Sequence, residues 1–153
     1  MTKDEFIEYV FDSNVIRLTD DQFYGKEKIE GNLNLDSLTS IPKGFNPEVG
    51  GSLNLDNLTQ IPEGFNPEVG GSLNLNSLTS IPKGFNPKLG GSLKLKSLTS
   101  IPEGFSPKVS GNLWLNSLTE IPENFNPLIK GDICIIDDDV NIKPELNFMN
   151  FHI

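Results

Sequence analysis

The twenty residues from Gly51 to Gly70 occur again, lightly edited, at 31–50, 71–90, 91–110 and 111–130, with no insertion or deletion between copies. A fixed period of this length means that one repeat is one structural unit. In the second copy the apolar positions are Leu53, Leu55, Leu58, Ile61, Phe65 and Val69, and they recur without drift. Leu53-x-Leu55 has a period of two, so a short strand buries both leucines and displays Ser52, Asn54 and Asp56. Pro62 ends the ladder by removing a donor, while Gly64 and the Gly70-Gly71 pair are expected to turn the chain at positive φ. Asn66-Pro67 imposes an extended or turn conformation and argues against a long helix on the return side.

One such coil cannot bury six apolar side chains, but stacked coils can, each covering its neighbour. Strands paired in parallel at about 4.8 Å make five repeats and their ends a rod of roughly 25–35 Å. A β-sandwich fits less well, because each repeat offers one strand signal rather than a hairpin pair.

The phrase Leu-x-Leu-x-x-Leu-Thr-x-Ile-Pro-x-Gly-Phe resembles the leucine-rich repeat over about 31–130. The usual asparagine after the strand is missing, and Leu58 stands there in a segment two residues shorter. The phrase is also similar to the surface-antigen subtype of that family and to short repeats of gut bacteria and their phages. The resemblance implies a fold rather than a function. The fold expected is a β-rich (α/β-type) solenoid, a leucine-rich-repeat-like stack of 20-residue coils with one parallel β-sheet, an N-terminal helical cap and an irregular C-terminal cap. Asn46, Asn66, Asn86 and Asn126 are candidates for a substitute ladder on the return side, broken at Ser106.

A chain of 153 residues suits one domain. It divides into a cap and degenerate coil (1–30), five repeats (31–130), and a last coil with its cap (131–153). Residues 3–12 place Phe6, Ile7, Val10 and Phe11 on one helical face. Leu18-Thr19 and Ile29 fall in register with Leu38-Thr39 and Val49. Beyond Ile133 and Ile135 the pattern breaks at Asp137-Asp138-Asp139, followed by the apolar Val140, Ile142, Leu146, Phe148, Met149 and Phe151. Cys134 and Ile136 stand where other coils are polar, to be covered by the cap or by a second subunit. The start of the chain lacks an apolar leader, no run is long enough to span a bilayer, and there is a single cysteine; a cytoplasmic, reducing setting is expected.

A net charge of −9 and a pI near 4.5 disfavour direct binding of nucleic acid or anionic membrane, which needs clustered Lys and Arg. No catalytic constellation, phosphate loop or metal motif is present, so no enzyme activity and no cofactor are expected. The acidic triplet lacks the alternating spacing of a calcium loop, and Cys134 with His152 is a poor candidate for a thiolate pair. On the return side, Lys43, Glu63, Lys83, Glu103 and Glu123, and Glu48, Glu68, Lys88, Lys108 and Leu128, are expected to offset charge between coils.

The informative residues break the repeat on the displayed strand face. One column reads Asn34, Asn54, Asn74, Lys94, Trp114, Cys134, and the next reads Asp36, Asp56, Asn76, Lys96, Asn116, Ile136. Lys94 and Trp114 should be lateral neighbours, in the manner of an interface anchor; the alternative is local packing of Trp114 over the Lys94 stem or beneath the C-terminal cap. The expected site for a protein partner therefore comprises Lys94, Lys96, Trp114, Asn74 and Asn116, with Asp36 and Asp56 as an acidic wing. The reading is a non-catalytic interaction scaffold, with a phage or mobile-element protein acting on a host or defence protein as its suggested setting. Two alternatives are a self-associating rod that dimerises through its terminal coils, and an acidic decoy of a nucleic-acid-binding protein.

Overall fold

The computed structural model describes residues 1–14, 17–135 and 151–152. It is a parallel β-solenoid of twenty-residue coils. A seven-stranded major sheet is formed by Leu33–Asn34, Leu53–Asn54, Leu73–Asn74, Leu93–Lys94, Leu113–Trp114, Ile133–Cys134 and, last, Phe151–His152. Every neighbouring pair is parallel, and Leu53 aligns with Leu33 on one side and Leu73 on the other. The final strand aligns Phe151 with Ile133, an offset of 18 rather than 20 residues.

The single expected sheet has a companion. A six-stranded minor sheet consists of Lys28–Ile29, Glu48–Val49, Glu68–Val69, Lys88–Leu89, Lys108–Val109 and Leu128–Ile129. Each strand holds only one inward side chain, Val69 in the second repeat, so the sequence shows no alternation there. The ladder is nonetheless made: Gly70 N–H donates to Val49 O at 2.8 Å and Gly71 N–H to Gly51 O at 2.9 Å.

The glycines between the sheets serve a different purpose from the one expected. Gly64 has φ of +83°, but Gly70 and Gly71 lie outside the left-handed region. A Cβ on Gly70 would stand 2.3 Å from Gly50 O, and one on Gly71 2.5 Å from Ser52 Oγ. Close stacking of successive coils at this corner, not turn geometry, excludes a side chain.

In the second repeat all six apolar positions are buried, and Pro67 joins them as a seventh; of their equivalents in the five repeats only Ile101 and Ile129 are partly exposed. Phe45, Phe65, Phe85, Phe105 and Phe125 form a column of stacked rings with centroids 6.1–6.3 Å apart. Polar side chains hold the coils on the outside of this column. Asn46 Oδ1 accepts from Asn66 N at 2.6 Å, Asn66 Oδ1 from Asn86 N at 2.7 Å and Asn86 Oδ1 from Ser106 N at 2.6 Å. The asparagine ladder thus exists and changes at Ser106, whose Oγ donates to Asn126 O instead.

The helix α1 (Lys3–Asn14) covers the first coil. Its Phe6 lies 4.5 Å from Phe45 and 5.8 Å from Phe23, extending the aromatic column, and Val10 is fully buried. Thr2 and Glu5 cap its start reciprocally. Phe11 departs from expectation and is 37% exposed, with the Arg17 guanidinium 4.7 Å from its ring centre. Five residues after Phe6 is about 140° around a helix, outside the buried stripe. Leu18 is buried and Ile29 pairs with Val49, as the twenty-residue register requires. Thr19, however, caps the short helix α2 (Asp20–Phe23). Residues 136–150, with Ile136, the acidic triplet and the apolar positions from Val140 to Met149, lie outside the described residues.

Candidate functional site

The outward column of the major sheet places Lys94, Trp114 and Cys134 side by side as register partners, with Asn74 beyond Lys94. All four are half-buried. The expected Lys94–Trp114 adjacency is therefore present. The cation over the indole is a different one: Lys96 Nζ stands 5.4 Å from the Trp114 ring centre. Lys96 lies two residues after the register partner of Trp114, a diagonal that long side chains can bridge across a sheet.

The second column is structural as well as displayed. Asn54 Oδ1 accepts from Asp56 N at 3.2 Å, Asp56 Oδ1 from Asn76 N at 3.1 Å and Asn76 Oδ1 from Lys96 N at 3.3 Å. Asp36 is similarly met by Asn34 through its own backbone N–H. These bonds put Asp56 two strand spacings from Lys96, about 10 Å, and Asp36 one further, so the acidic wing and the lysines share one face without touching. Asn74 Oδ1 and Asn116 Oδ1, on either side of the lysines, are shielded and accept no hydrogen bond from the described residues. Such acceptors are costly when left unmade.

A further polar column escaped the sequence reading. Asn32, Ser52, Ser72, Ser92 and Asn112 each accept, through the side-chain oxygen, the N–H of the residue one coil later, at 2.8–3.0 Å. Its signal was present as an unbroken run of small acceptor side chains just before each strand.

Cys134 sits beside Trp114 and is the register partner of His152. Burial pushes its thiol pKa up, and the Asp132 carboxylate adds to the effect. The thiol is accordingly held protonated and weakly nucleophilic at neutral pH.

The minor sheet carries open grooves. One of about 290 Å³ is bordered by Lys28, Glu48, Glu68 and Lys88 with glycines on its floor, and one of about 420 Å³ by Lys88, Lys108, Leu128 and Lys130. The expected offset of charge between coils is only partial here. Register pairs Glu48 with Glu68 and Lys88 with Lys108, and unlike neighbours occur only at Lys28–Glu48 and Glu68–Lys88.

Among the described residues there is no group of three or more His, Cys, Asp or Glu side chains that could hold a metal ion, and no helix long and apolar enough to cross a membrane. No protein-family model matches the chain, and neither does any curated protein or solved structure.

Proposed function

We propose that this protein is a non-catalytic, leucine-rich-repeat-like scaffold of the cytoplasm that binds a partner protein across its major sheet. The observation that carries the reading is Trp114, half-exposed on a stiff sheet, flanked by Lys94 and overlaid by Lys96. Tryptophan with cations is a common interface anchor, and a preformed sheet loses little entropy on docking. Asp36 and Asp56 extend it toward a partner carrying basic side chains. The resemblance to repeats of gut bacteria and phages directs the search toward a host or defence protein.

Affinity capture from a bacterial lysate tests the face. The wild type is compared with Lys96→Glu/Trp114→Ala and with Lys83→Glu, an exposed position on neither sheet. A protein retained by the wild type and by Lys83→Glu, but lost from the double variant, supports the major sheet as the binding face. Equal retention by all three overturns this placement.

A further inference from the structure

The minor sheet presents two outward columns. The first reads Lys28, Glu48, Glu68, Lys88, Lys108, Leu128, and the second reads Glu30, Gly50, Gly70, Gly90, Ser110, Lys130. Apart from Lys28 and Leu128 at the ends of the first, the columns are anti-symmetric in charge about one line, which runs along the strands between Glu68–Val69 and Lys88–Leu89. Reflecting the order about that line exchanges Glu68 with Lys88, Glu48 with Lys108 and Glu30 with Lys130. It also exchanges Gly70 with Gly90, so the centre stays bare.

We infer that the minor sheet is the interface of an antiparallel homodimer, its two-fold axis lying along that line. A second copy turned face to face about this axis brings its Lys88, Lys108 and Lys130 opposite Glu68, Glu48 and Glu30. Symmetry makes each contact twice, as an isologous interface requires. The glycine floor leaves room for the long side chains of the facing copy, and Gly50, Gly70, Gly90 and Ser110 line the groove in which they lie. Leu128, 60% exposed, meets the aliphatic stem of the facing Lys28, whose own ammonium is 3.8 Å from Glu48.

The structure selects this arrangement over its rivals. In a parallel alignment Glu48, Glu68, Lys88 and Lys108 would each face themselves. The repeats carry the same polarity, since residues 1–80 hold 13 acidic against 5 basic side chains and residues 81–130 hold 6 basic against 3 acidic, while residues 131–153 add 5 acidic against 1 basic. The antiparallel contact is therefore attractive where the strips meet, against the net repulsion of two copies that each carry −9. Stacking alone accounts for Gly70 and Gly90, whose added Cβ atoms would stand 2.3 and 2.2 Å from the carbonyl oxygen one coil earlier. It accounts for neither the segregation of charge nor the matching ends at Glu30 and Lys130. The strip spans five strand spacings, about 24 Å, which places the association at the small, salt-sensitive end of protein interfaces. The major sheet is a separate wall and stays open, so a dimer would present two copies of the partner face and gain from bivalency.

Sedimentation of the full chain at graded concentration tests the inference. At about 0.1 M salt, where net repulsion is screened beyond roughly 10 Å but facing pairs still act, the wild type should dimerise, and at about 1 M salt, where charges act over roughly 3 Å, it should not. Glu68→Lys and Lys88→Glu should each weaken self-association at least about tenfold, because like charges then face each other twice. Mixed in equal amounts, the two variants should form a heterodimer, since every facing pair is again unlike. An effect acting only within one chain cannot be rescued by mixing. A wild type monomeric at every concentration and salt overturns the proposal. So does a dimer that both single variants retain, which would instead place the contact at the terminal coils. Equal partner capture by the wild type and Lys96→Glu/Trp114→Ala, with dimerisation intact, would refute the major-sheet reading alone.

Discussion

Lys96 and Trp114 belong to different coils, yet the ammonium of one stands 5.4 Å from the ring centre of the other. The contact ties the fourth repeat to the fifth on the displayed face and holds the indole in a defined orientation. Lys96→Ala should raise acrylamide quenching of the Trp114 fluorescence, which has no other tryptophan to obscure it. The stability loss should be about 0.5–1 kcal/mol, with Lys96→Arg close to wild type. Unchanged quenching in Lys96→Ala would show that the cation does not shield the ring.

The asparagine ladder makes a prediction in both directions. Asn66 accepts from Asn86 N and donates through Nδ2 to Gly84 O at 3.0 Å. Asn66→Ala removes both bonds and should lower stability by about 1–2 kcal/mol, the lower end of the range because the site is exposed. Ser106→Asn restores the amide at the one interrupted rung and should raise stability by about 0.5–1 kcal/mol. The urea midpoint at constant slope measures both.

Phe85 is the middle ring of the stacked column, 6.3 Å from Phe65 and 6.2 Å from Phe105. Phe85→Ala should cost about 3–5 kcal/mol, and Phe85→Leu less because more of the volume stays filled. In a solenoid each coil is supported by its neighbours, so the alanine variant should also broaden the unfolding transition as the two halves uncouple. A single sharp transition at a lower midpoint would count against that uncoupling.

The N-terminal cap should loosen in acid. A hydrogen bond from Arg17 holds the Glu8 carboxyl below the ordinary glutamate pKa of 4.5, and the backbone N–H of Thr2 does the same for Glu5. Both folded values are depressed, so their contribution is present above the unfolded value and is lost as pH falls below 4.5 through the folded one. Amide exchange in α1, corrected for intrinsic rates, should accelerate over that window. Glu8→Gln should flatten the dependence.

How far the sequence revealed this molecule depends on what kind of contact each residue makes. Leu53 and Leu55 announced themselves because two large aliphatic side chains at a spacing of two have one economical use. Phe6 and Val10 did so because four residues is one turn of a helix. Val69 was recognised as core but not as part of a strand, since a two-residue strand has no alternation to display. Ser52 and Ser72 were legible only as a column of small acceptors, not one by one, for another reason. A hydroxyl that accepts a neighbour's N–H looks, in sequence, like any solvated serine. At the candidate face, the Lys94–Trp114 adjacency followed from the period alone. That Lys96 lies over the ring depends on the direction of a four-carbon stem, which the period does not determine.

Ser72 N–H reaches Ser52 Oγ, Asn86 N–H reaches Asn66 Oδ1 and Asn76 N–H reaches Asp56 Oδ1, each a step of one whole coil. A recombination that removes or duplicates twenty residues between two such coils therefore recreates the same junction and asks nothing new of the fold. Length is in this sense a trait that inheritance can change in quanta of about 4.8 Å. A cut at any other interval would strand leucines and ladders together, so selection against misfolding would itself keep the repeats in phase.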